Sequence, residues 1–251
     1  MSAGFEGKVA IVTGGAGGLG RASCEALAAA GARVLVVDID EAGGAAFAES
    51  IGGEFFVADV ADLGQNQAMV AAAVDRFGGV DLVYLNAGLA SGFGVGEDFD
   101  AERYRRIMGV NLDGVVFGIH AALPALEARG GGAIVATASL AGLTSVPMDP
   151  LYSANKHAVV GLIRSLGPGL AERGIRVNAV CPGFAESRII DPIRDGLTDA
   201  GIPIIPAESV AATVLELFAG EMSGEAWFVQ PGRPAAAFGF RGIPGPRSPA
   251  D

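Results

Sequence analysis

Short apolar runs alternate with longer amphipathic segments along most of the chain. The short runs are apolar throughout rather than alternating in polarity, which is typical of strands covered by helices on both faces. They predict strands at Val9–Thr13, Arg33–Asp38, Glu54–Ala58, Leu82–Asn86, Ala133–Ala138, Arg176–Cys181 and Ala226–Val229. Helical spacing predicts helices at Leu19–Ala30, Glu41–Ser50, Leu63–Phe77, Ala101–Ala128, Tyr152–Arg173 and Ala207–Ala219. This alternation predicts an α/β fold: one domain with a doubly wound parallel sheet of about seven strands and helices on both faces.

The composition changes at Pro231. From there to Asp251 the chain is rich in Pro, Gly, Ala and Arg, a mixture that we expect to continue neither the sheet nor a helix. We therefore divide the chain into a domain over residues 1–232 and a tail over residues 233–251. The tail is expected either to be disordered or to lie across a neighbouring subunit.

Length and charge narrow the class of protein. A chain of 251 residues that is 51% hydrophobic fits one large domain with an extensive core. Its net charge of -11 opposes binding to nucleic acid or to an anionic membrane, so we expect neither as a partner. The longest uncharged stretch, residues 130–148, contains glycines, hydroxyl residues and Pro147, which predict a strand and a loop rather than a membrane span.

Cysteine and histidine usage gives two further expectations. Cys24 and Cys181 are far apart in the sequence and belong to no CxxC motif, which excludes a disulfide scaffold or a zinc ribbon. No apolar leader precedes the first strand, so we expect a reducing, cytoplasmic location. His120 and His157 have no partner at metal-ligand spacing, and no metal site is predicted.

A glycine-rich turn follows the first strand directly. Residues 13–20 read TGGAGGLG, and the first helix begins near Leu19. Gly14, Gly18 and Gly20 leave room for a tight turn and for close approach of the backbone to a pyrophosphate, which the helix N-terminus would also attract. Glycine-rich turns also occur by chance in a chain with 39 glycines, but the position between a strand and a helix favours a dinucleotide site.

Asp38 ends the second strand, about twenty residues after the glycines, where an acid accepts hydrogen bonds from an adenosine ribose. The same carboxylate would repel a 2'-phosphate, and neither Gly17 nor Ile39 supplies a compensating cation. The sequence therefore favours NAD over NADP. The alternative is that Asp38 only caps the strand end or the following helix.

Tyr152 and Lys156 are four residues apart at the start of a predicted helix, so their side chains project from one face. A phenol with a pKa near 10 needs about 4 kcal/mol of stabilisation of its anion to act as a base at neutral pH. A neighbouring ammonium and an oxidised nicotinamide could supply it. Ser139, at the end of the fifth strand, could hold the oxygen of a substrate. A Tyr-x-x-x-Lys pair alone is common on surface helices.

Together these residues resemble the short-chain dehydrogenase/reductase family over about residues 7–232. The shared motifs are TGGAGGLG, Asp59-Val60 after strand three, Asn86-Ala87-Gly88 after strand four, Asn111, Ser139, Tyr152-x-x-x-Lys156 and Pro182-Gly183 after strand six. The resemblance implies a Rossmann-type fold with Tyr152 as the acid/base, Ser139 positioning the alcohol or carbonyl group, and Lys156 lowering the pKa of the tyrosine and binding the nicotinamide ribose. It also implies that the helix of Asn111 holds a water in a proton relay.

The same resemblance predicts the contacts with NAD. Asp59 and Val60 are expected at the adenine, Asn86 and Ala87 beneath the cofactor, and Pro182 and Gly183 at the nicotinamide. The full predicted set is Gly14, Gly18, Leu19, Gly20, Asp38, Asp59, Val60, Asn86, Ala87, Gly88, Tyr152, Lys156, Pro182, Gly183 and Ser187.

The chain departs from the family pattern at three places. After Pro182-Gly183 it reads Phe184-Ala185-Glu186-Ser187, where the family has Ile or Val and then Thr; Ser187 can replace the threonine, whereas Glu186 has no assigned role. Pro168 lies inside the predicted catalytic helix and should kink or interrupt it. The segment from Ser187 to the next helix at Ala207 predicts a short lid over the substrate.

These observations predict an oxidoreductase that transfers a hydride between NAD(H) and the alcohol or carbonyl group of a small apolar molecule. The apolar residues expected around the mouth of the site are Leu89, Phe93, Leu140, Leu143, Met148, Phe184, Ile189 and Ile190. Two alternatives stay open: a dinucleotide-binding sensor without chemistry, which would have no reason to keep Tyr152, Lys156 and Ser139 together, and an epimerase-type reaction on the same fold.

The two longest predicted helices are apolar on more than their sheet-facing sides. The residues concerned are Val110, Val115, Val116 and Phe117 in the first and Val159, Val160, Leu162 and Ile163 in the second. An excess of apolar surface favours burial against another copy of the chain. Because the resembled family commonly pairs these helices across twofold axes, we predict a homodimer or homotetramer.

Overall fold

The computed structural model describes residues 4–92 and 94–242. Its centre is one eight-stranded sheet with the order β3-β2-β1-β4-β5-β6-β7-β8, in which β1 to β7 pair in parallel and β8 is antiparallel to β7. The strands are β1 Val9–Thr13, β2 Arg33–Asp38, β3 Glu54–Val57, β4 Leu82–Leu85, β5 Gly132–Thr137, β6 Ile175–Pro182, β7 Ala226–Val229 and β8 Ala236–Ala237. The predicted doubly wound α/β fold is confirmed, with one strand more than expected.

Helices cover both faces of the sheet. They are α1 Gly18–Ala29, α2 Glu41–Ser50, α3 Leu63–Phe77, α4 Ala101–Met108, α5 Gly114–Ala128, α6 Pro150–Ala171, α7 Arg194–Asp199 and α8 Ala207–Ala219. The apolar sides of α3, α5 and α6 share one hydrophobic cluster, and those of α1, α2 and α8 share the other. The sheet therefore lies between two helical layers.

The first strand shows why these runs are uniformly apolar. Side chains alternate between the faces of a strand, so Val9 and Ile11 join the cluster on one face and Ala10 and Val12 join the other. All four are fully buried. A strand covered on both sides has no position at which a polar side chain would meet water, and apolar residues are favoured throughout.

The strand order reverses beside β1. The chain builds β1, β2 and β3 outward on one side and then returns to place β4 against the free edge of β1. In open parallel sheets the crevice outside the carboxyl ends at such a reversal is where ligands bind. The turns that follow β1, β4, β5 and β6 all open onto this edge.

The predicted helix Ala101–Ala128 is divided into three parts. A π-helical turn, Gly109–Asp113, joins α4 to α5 and contains Asn111. Such turns place an extra residue in the helix and are frequent at functional sites. By length and composition alone the whole run could cross a membrane, with a mean hydropathy of 1.4 over its most apolar window. Val115, Ile119 and Leu126 instead pack into the core beneath the sheet, as in core helices.

Pro168 does not interrupt the catalytic helix. Helix α6 continues through it to Ala171, two residues short of the predicted end. The backbone of α6 comes closest to another segment at Gly167, where an added Cβ would lie 2.3 Å from the Gly224 Cα. The Gly167 carbonyl also accepts a hydrogen bond from Ser223 Oγ. The small residue and the proline therefore lie where α6 packs against the turn before β7.

The expectation that the tail could not join the sheet is wrong for its first part. Residues 236–237 form β8 on the outer edge of β7, and Phe238 N donates to the Ala226 carbonyl. Farther along, the Phe240 ring lies 3.6 Å from the Arg164 guanidinium. The unpaired edge of β7 accepts any short extended segment of its own chain, so strand composition is not required there. Residues 243–251 of the tail lie outside the described part.

The predicted apolar excess on the two long helices is smaller than the sequence indicated. Five of the eight residues lie in the chain's own core: Val110, Val115, Val159, Val160 and Ile163. Val116 is exposed, and Phe117 and Leu162 are half-buried. Val115, Val159, Val160 and Ile163 all belong to the one hydrophobic cluster that α3, α5 and α6 share, so these helices bury apolar side chains against one another as well as against the sheet.

Candidate active site

The glycine turn between β1 and α1 has the shape of a cradle. Gly14 and Gly18 adopt the left-handed region, with φ of +62° and +50°. A Cβ at Gly20 would lie 2.0 Å from the Gly14 carbonyl oxygen, so no larger residue fits there. Helix α1 begins at Gly18 and no side chain caps its first turn. Its N–H groups and positive dipole end therefore face the crevice, as phosphate binding requires.

Asp38 forms structural hydrogen bonds at the end of β2 and keeps the capacity to accept more. Its carboxylate accepts hydrogen bonds from Ala16 N at 3.0 Å and from Asp40 N at 3.1 Å, which tie the glycine turn to the end of β2. It also lines a cavity of about 370 Å³. Each carboxylate oxygen can accept a second hydrogen bond, so the structural contacts leave Asp38 able to bind a ribose.

The predicted adenine-side residues line the same cavity. Asp59 and Val60 are joined there by Gly14, Ala87 and Gly88. Burial acts to raise the pKa of Asp59, but hydrogen bonds from Arg106 and Ala61 N outweigh it and lower that pKa below its usual value. Arg106 contacts Asp59 at 2.5 Å.

A cation that the sequence analysis missed also lines this cavity. Arg188, from the segment after β6, places its guanidinium 3.8 Å from the Asp40 carboxylate. The expectation that no cation lies near Asp38 considered only chain neighbours, whereas Arg188 is 150 positions away in sequence. Long loops that fold back over a sheet edge cannot be placed from spacing alone.

The turn after β4 is bonded to the glycine turn. Thr13 Oγ1 accepts from Asn86 N at 3.0 Å and from Ala87 N at 3.2 Å, while Asn86 Nδ2 donates to the Thr13 and Gly14 carbonyls. Thr137 at the end of β5 donates to Asn86 Oδ1. Neither threonine was predicted as a site residue, although both stand at the carboxyl ends of strands.

Asn111 holds the loop after β4 rather than the catalytic residues directly. Its Oδ1 accepts from Leu89 N at 2.7 Å and its Nδ2 donates to the Leu89 carbonyl at 2.8 Å. The side chain is fully buried. The oxygen and the nitrogen of the Asn111 amide are therefore both hydrogen-bonded to the backbone of Leu89. A proton relay through the main chain of the π-helical turn stays a prediction.

Ser139, Tyr152 and Lys156 come together as predicted. Ser139 follows β5, and the other two lie on the first two turns of α6. The Ser139 hydroxyl lies beside the Tyr152 phenol and acts to lower its pKa. Lys156 Nζ donates to the Thr137 carbonyl at 2.8 Å and lies 5.6 Å from the centre of the Tyr152 ring.

The neighbouring predicted residues close around this trio. Ser139 Oγ donates to the Pro182 carbonyl at 3.4 Å. A Cβ on Gly88 would lie 3.8 Å from Lys156 Nζ and 3.4 Å from Asn111 Oδ1. The turns after β4, β5 and β6 thus meet at the first turns of α6.

The protein alone favours a protonated phenol. Burial raises the pKa of Tyr152 to about 12, the neighbouring Ser139 hydroxyl acts in the opposite direction, and the Asp149 charge adds to the increase. Burial lowers the pKa of Lys156 to about 8. Lys156 is thus mostly cationic at neutral pH, but it does not offset the effect of burial on Tyr152.

The segment after β6 is more structured than a short lid. It contains a 3-10 turn, Asp191–Ile193, and α7. Arg194 donates to both oxygens of Glu186, at 3.0 and 2.7 Å, so the acid without an assigned role links the end of β6 to α7. The Cα of Ser187 lies 3.2 Å from where a Cβ on Gly18 would stand, which places the segment directly over the glycine turn.

The mouth of the crevice is apolar, with some changes from the predicted set. Leu89, Met148 and Phe184 are exposed, with Met148 at 90%. Leu140, Leu143 and Ile189 are half-buried. Ile190 belongs to the core, and Phe93 lies outside the described residues. Val95, Phe99, Ile193 and Ile202 are further exposed apolar residues in connecting segments.

The donor set fits a dinucleotide. A glycine cradle at a helix N-terminus suits a pyrophosphate, Asp38 suits a ribose, and Lys156 suits a second hydroxyl-bearing sugar beside Tyr152. In residues 4–92 and 94–242, no three His, Cys, Asp or Glu side chains stand close enough to hold a metal ion.

Comparison with known proteins agrees with this geometry. Residues 8–198 match the family model described as short chain dehydrogenase. Over 201 residues the chain is 39% identical to the 2,5-dichloro-2,5-cyclohexadiene-1,4-diol dehydrogenase of Sphingobium indicum, covering 79% of this chain and 80% of that protein. Over 195 residues it is 38% identical to the cyclohexanol dehydrogenase of an Acinetobacter species, covering 76% and 78%.

Among solved structures, the 3-ketoacyl-(acyl-carrier-protein) reductase from Brucella melitensis complexed with NADH has a similar fold. Its TM-score is 0.83 at 30% sequence identity, and the match covers 91% of this chain and 99% of that one. The family match, the order of the strands in the sheet and the cluster of Ser139, Tyr152 and Lys156 all indicate the same family. The chain belongs to the short-chain dehydrogenase family, as an oxidoreductase that moves a hydride between a nicotinamide dinucleotide and an alcohol or carbonyl group.

Proposed function

We propose that the protein is an NAD-dependent dehydrogenase of small cyclic secondary alcohols that also reduces the matching ketones. The observation that carries this proposal is the grouping of Ser139, Tyr152 and Lys156 beneath an apolar mouth. The names of two relatives, which contain cyclohexanol and a cyclohexadiene diol, support the ring as the substrate class.

The chain's own residues supply substrate binding and proton transfer. Ser139 and Tyr152 hold the substrate oxygen between them, and Tyr152, in its phenolate form, accepts the alcohol proton during oxidation. Lys156, anchored on the Thr137 carbonyl, keeps a positive charge at the base of the site. Oxidised nicotinamide, when bound beside Tyr152, would supply the hydride acceptor and a positive charge that favours the phenolate.

We infer a preference for NAD from the charges around the adenosine cavity. Asp38 and Asp40 both line it, and a 2'-phosphate would lie beside their carboxylates. The two cations there already have acidic neighbours, since Arg106 contacts Asp59 and Arg188 approaches Asp40. Negative charge close to the ribose therefore dominates.

Fluorescence titration with NADH and NADPH tests this preference. We expect NADH to bind at least tenfold more tightly, a difference of about 1.4 kcal/mol. Arg188→Gln gives a second test, because it removes the cation beside Asp40 and should widen the difference between the NADH and NADPH affinities. Equal affinities in the wild type would contradict the role assigned to Asp38.

A substrate panel tests the reaction. NADH formation should be fastest with cyclohexanols and cyclic diols and slower with linear secondary alcohols of equal carbon number. Tyr152→Phe should lose at least a hundredfold in kcat while keeping NADH affinity within about twofold, because the phenol is needed for proton transfer. A sensor would bind NADH without turnover on any alcohol, and an epimerase would convert its substrate without net NADH formation.

We propose a reducing compartment, the cytoplasm, as the location of the protein. Cys24 and Cys181 are both free and buried, and burial raises the pKa of each thiol, which leaves both unreactive. Labelling with a thiol reagent should modify neither cysteine in the folded protein and both after denaturation.

A further inference from the structure

Asp149 stands immediately before α6, the helix that carries the catalytic pair. Its Oδ1 accepts a hydrogen bond from Tyr152 N at 3.1 Å, and its carbonyl accepts from Ser153 N at 3.0 Å. These contacts satisfy N–H groups that the first turn of a helix leaves without partners, as an N-cap residue does. The carboxylate is therefore bonded to the backbone of the catalytic tyrosine itself.

The same carboxylate also binds the loop after β4. Ser91 Oγ donates to Oδ1, and Gly92 N donates to Oδ2 at 3.0 Å. Ser91 is fully buried, so its hydroxyl depends on this partner. Helix capping needs only one of the two oxygens, and here both are used.

The loop held in this way forms one wall of the substrate mouth. It begins at Leu89, whose backbone N–H and carbonyl are fixed by Asn111, and it ends at Gly92, which Asp149 fixes. Leu89 lines the cofactor cavity and is exposed at the mouth. The wall is thus attached at one end to the π-helical turn and at the other to the first turn of α6.

Resting on the proposed function, we propose that Asp149 is a positioning residue that fixes the substrate-facing loop 89–92 against the first turn of α6. By this contact one carboxylate joins the Gly92 end of the loop to the backbone of Tyr152, while Asn111 holds the Leu89 end. The position of the ring of a cyclic alcohol relative to the proton acceptor then depends on residue 149.

The charge of Asp149 has a separate effect on the same tyrosine. The groups around the phenol are Ser139, Lys156, Cys181 and Asp149, and the last of these raises the pKa of Tyr152. Replacing the carboxylate with an amide keeps the size and the acceptor for Tyr152 N while removing the negative charge. One negative charge that disfavours ionisation of the phenol is then gone, so the pKa of Tyr152 falls.

Three variants separate these effects. Asp149→Asn should raise KM for a cyclic alcohol at least fivefold and move the rising limb of the pH–rate profile to lower pH by about half a unit to one unit. Ser91→Ala should raise KM similarly and leave the pH profile in place, because it loosens the loop without changing charge. Asp62→Asn is the matched control: Asp62 caps α3 by accepting from Gln65 N, and its loss should change neither KM nor the profile.

A readout without turnover keeps this inference separate from the proposed function. The ultraviolet pH titration of a protein minus that of the same protein with Tyr152→Phe isolates the phenol of Tyr152. This difference is measured once in the wild type and once in Asp149→Asn, and its midpoint should lie lower in Asp149→Asn. A wild type that oxidises no alcohol refutes the proposed function, whereas an unmoved midpoint in Asp149→Asn refutes the charge effect. If Asp149→Asn and Ser91→Ala both keep the KM of Asp62→Asn, Asp149 is only a helix cap; if Asp149→Asn does not fold, Ser91→Ala alone decides the loop contact.

Discussion

At the scale of single residues, the site combines two ionisable groups whose burial opposes their charged forms. Tyr152 is held neutral by its surroundings, with its pKa raised to about 12, while Lys156 has its pKa lowered to about 8. The sequence identified both residues through their four-residue spacing. It could not give the balance of burial and charge around them, because Thr137 and Ser139 come from β5 and the turn after it, and the loop after β4 binds the Asp149 carboxylate.

Tyr152 in the free protein should ionise above the pH at which an exposed tyrosine does, because the effect of burial on its pKa outweighs that of the Ser139 hydroxyl. The ultraviolet difference between the wild type and Tyr152→Phe measures this directly. In the presence of oxidised cofactor, alcohol oxidation should rise through a lower apparent pKa. A free-protein midpoint below 10 would contradict the raised pKa.

Lys156→Met should stabilise the protein at neutral pH while abolishing activity. The folded-state pKa of Lys156 lies below the unfolded value, so the buried charge costs stability below about pH 8, and this cost fades as pH rises towards 10.5. We expect a gain on the order of 2 kcal/mol in urea unfolding at pH 7 and a smaller gain at pH 10. A variant that is less stable than the wild type at pH 7 would show that the hydrogen bond to Thr137 outweighs the burial cost.

At the scale of elements, helices and strands with their own periodicity were predicted within a few residues, and those that depend on neighbours were not. The π-helical turn at Gly109–Asp113 has the same apolar spacing as the helices beside it. Strand β8 is only two alanines long and exists because β7 offers a free edge. The link from Glu186 to Arg194 joins the strand end to a helix that spacing did not predict.

The glycine turn gives an element-scale prediction with an internal control. Gly20→Ala would bring a Cβ to 2.0 Å from the Gly14 carbonyl, so the cradle must open and NADH affinity should fall more than tenfold. Gly161 lies on the exposed side of α6, where an added Cβ would meet no atom within 4 Å. Gly161→Ala should therefore leave NADH binding unchanged and stabilise the protein by about 0.5–1 kcal/mol. Calorimetric titration and thermal unfolding measure both, and equal binding by the two variants would contradict the cradle.

At the scale of the whole molecule, the fold followed from the alternation of strands and helices, and the assembly did not. We propose a homodimer or homotetramer. Fewer apolar residues on the outer sides of the helices support it than the sequence indicated. These are Val116, Phe117 and Leu162, together with an open apolar groove of about 530 Å³ along α3 and α5 that includes Val74, Ala121 and Pro124. Burying such surface against a second copy would remove it from water.

Light scattering behind a sizing column tests the assembly, and we expect two or four times the mass of one chain at micromolar concentration. Val116→Glu should shift the population towards single chains if α5 is in the interface, whereas Val95→Glu, in the exposed loop before α4, should leave the mass unchanged. A single-chain mass for the wild type would refute the proposal.

The order of strands also bears on how the chain folds while it is being synthesised. After β1, the strands β2 and β3 add outward on one side, β4 starts the other side, and β5 to β8 add outward in the order in which they emerge from the ribosome. No strand has to enter between two that are already paired, so each can join the growing sheet on arrival. The edge of β7 stays open until Ala236 and Ala237, the last residues of the described sheet, emerge and pair with it.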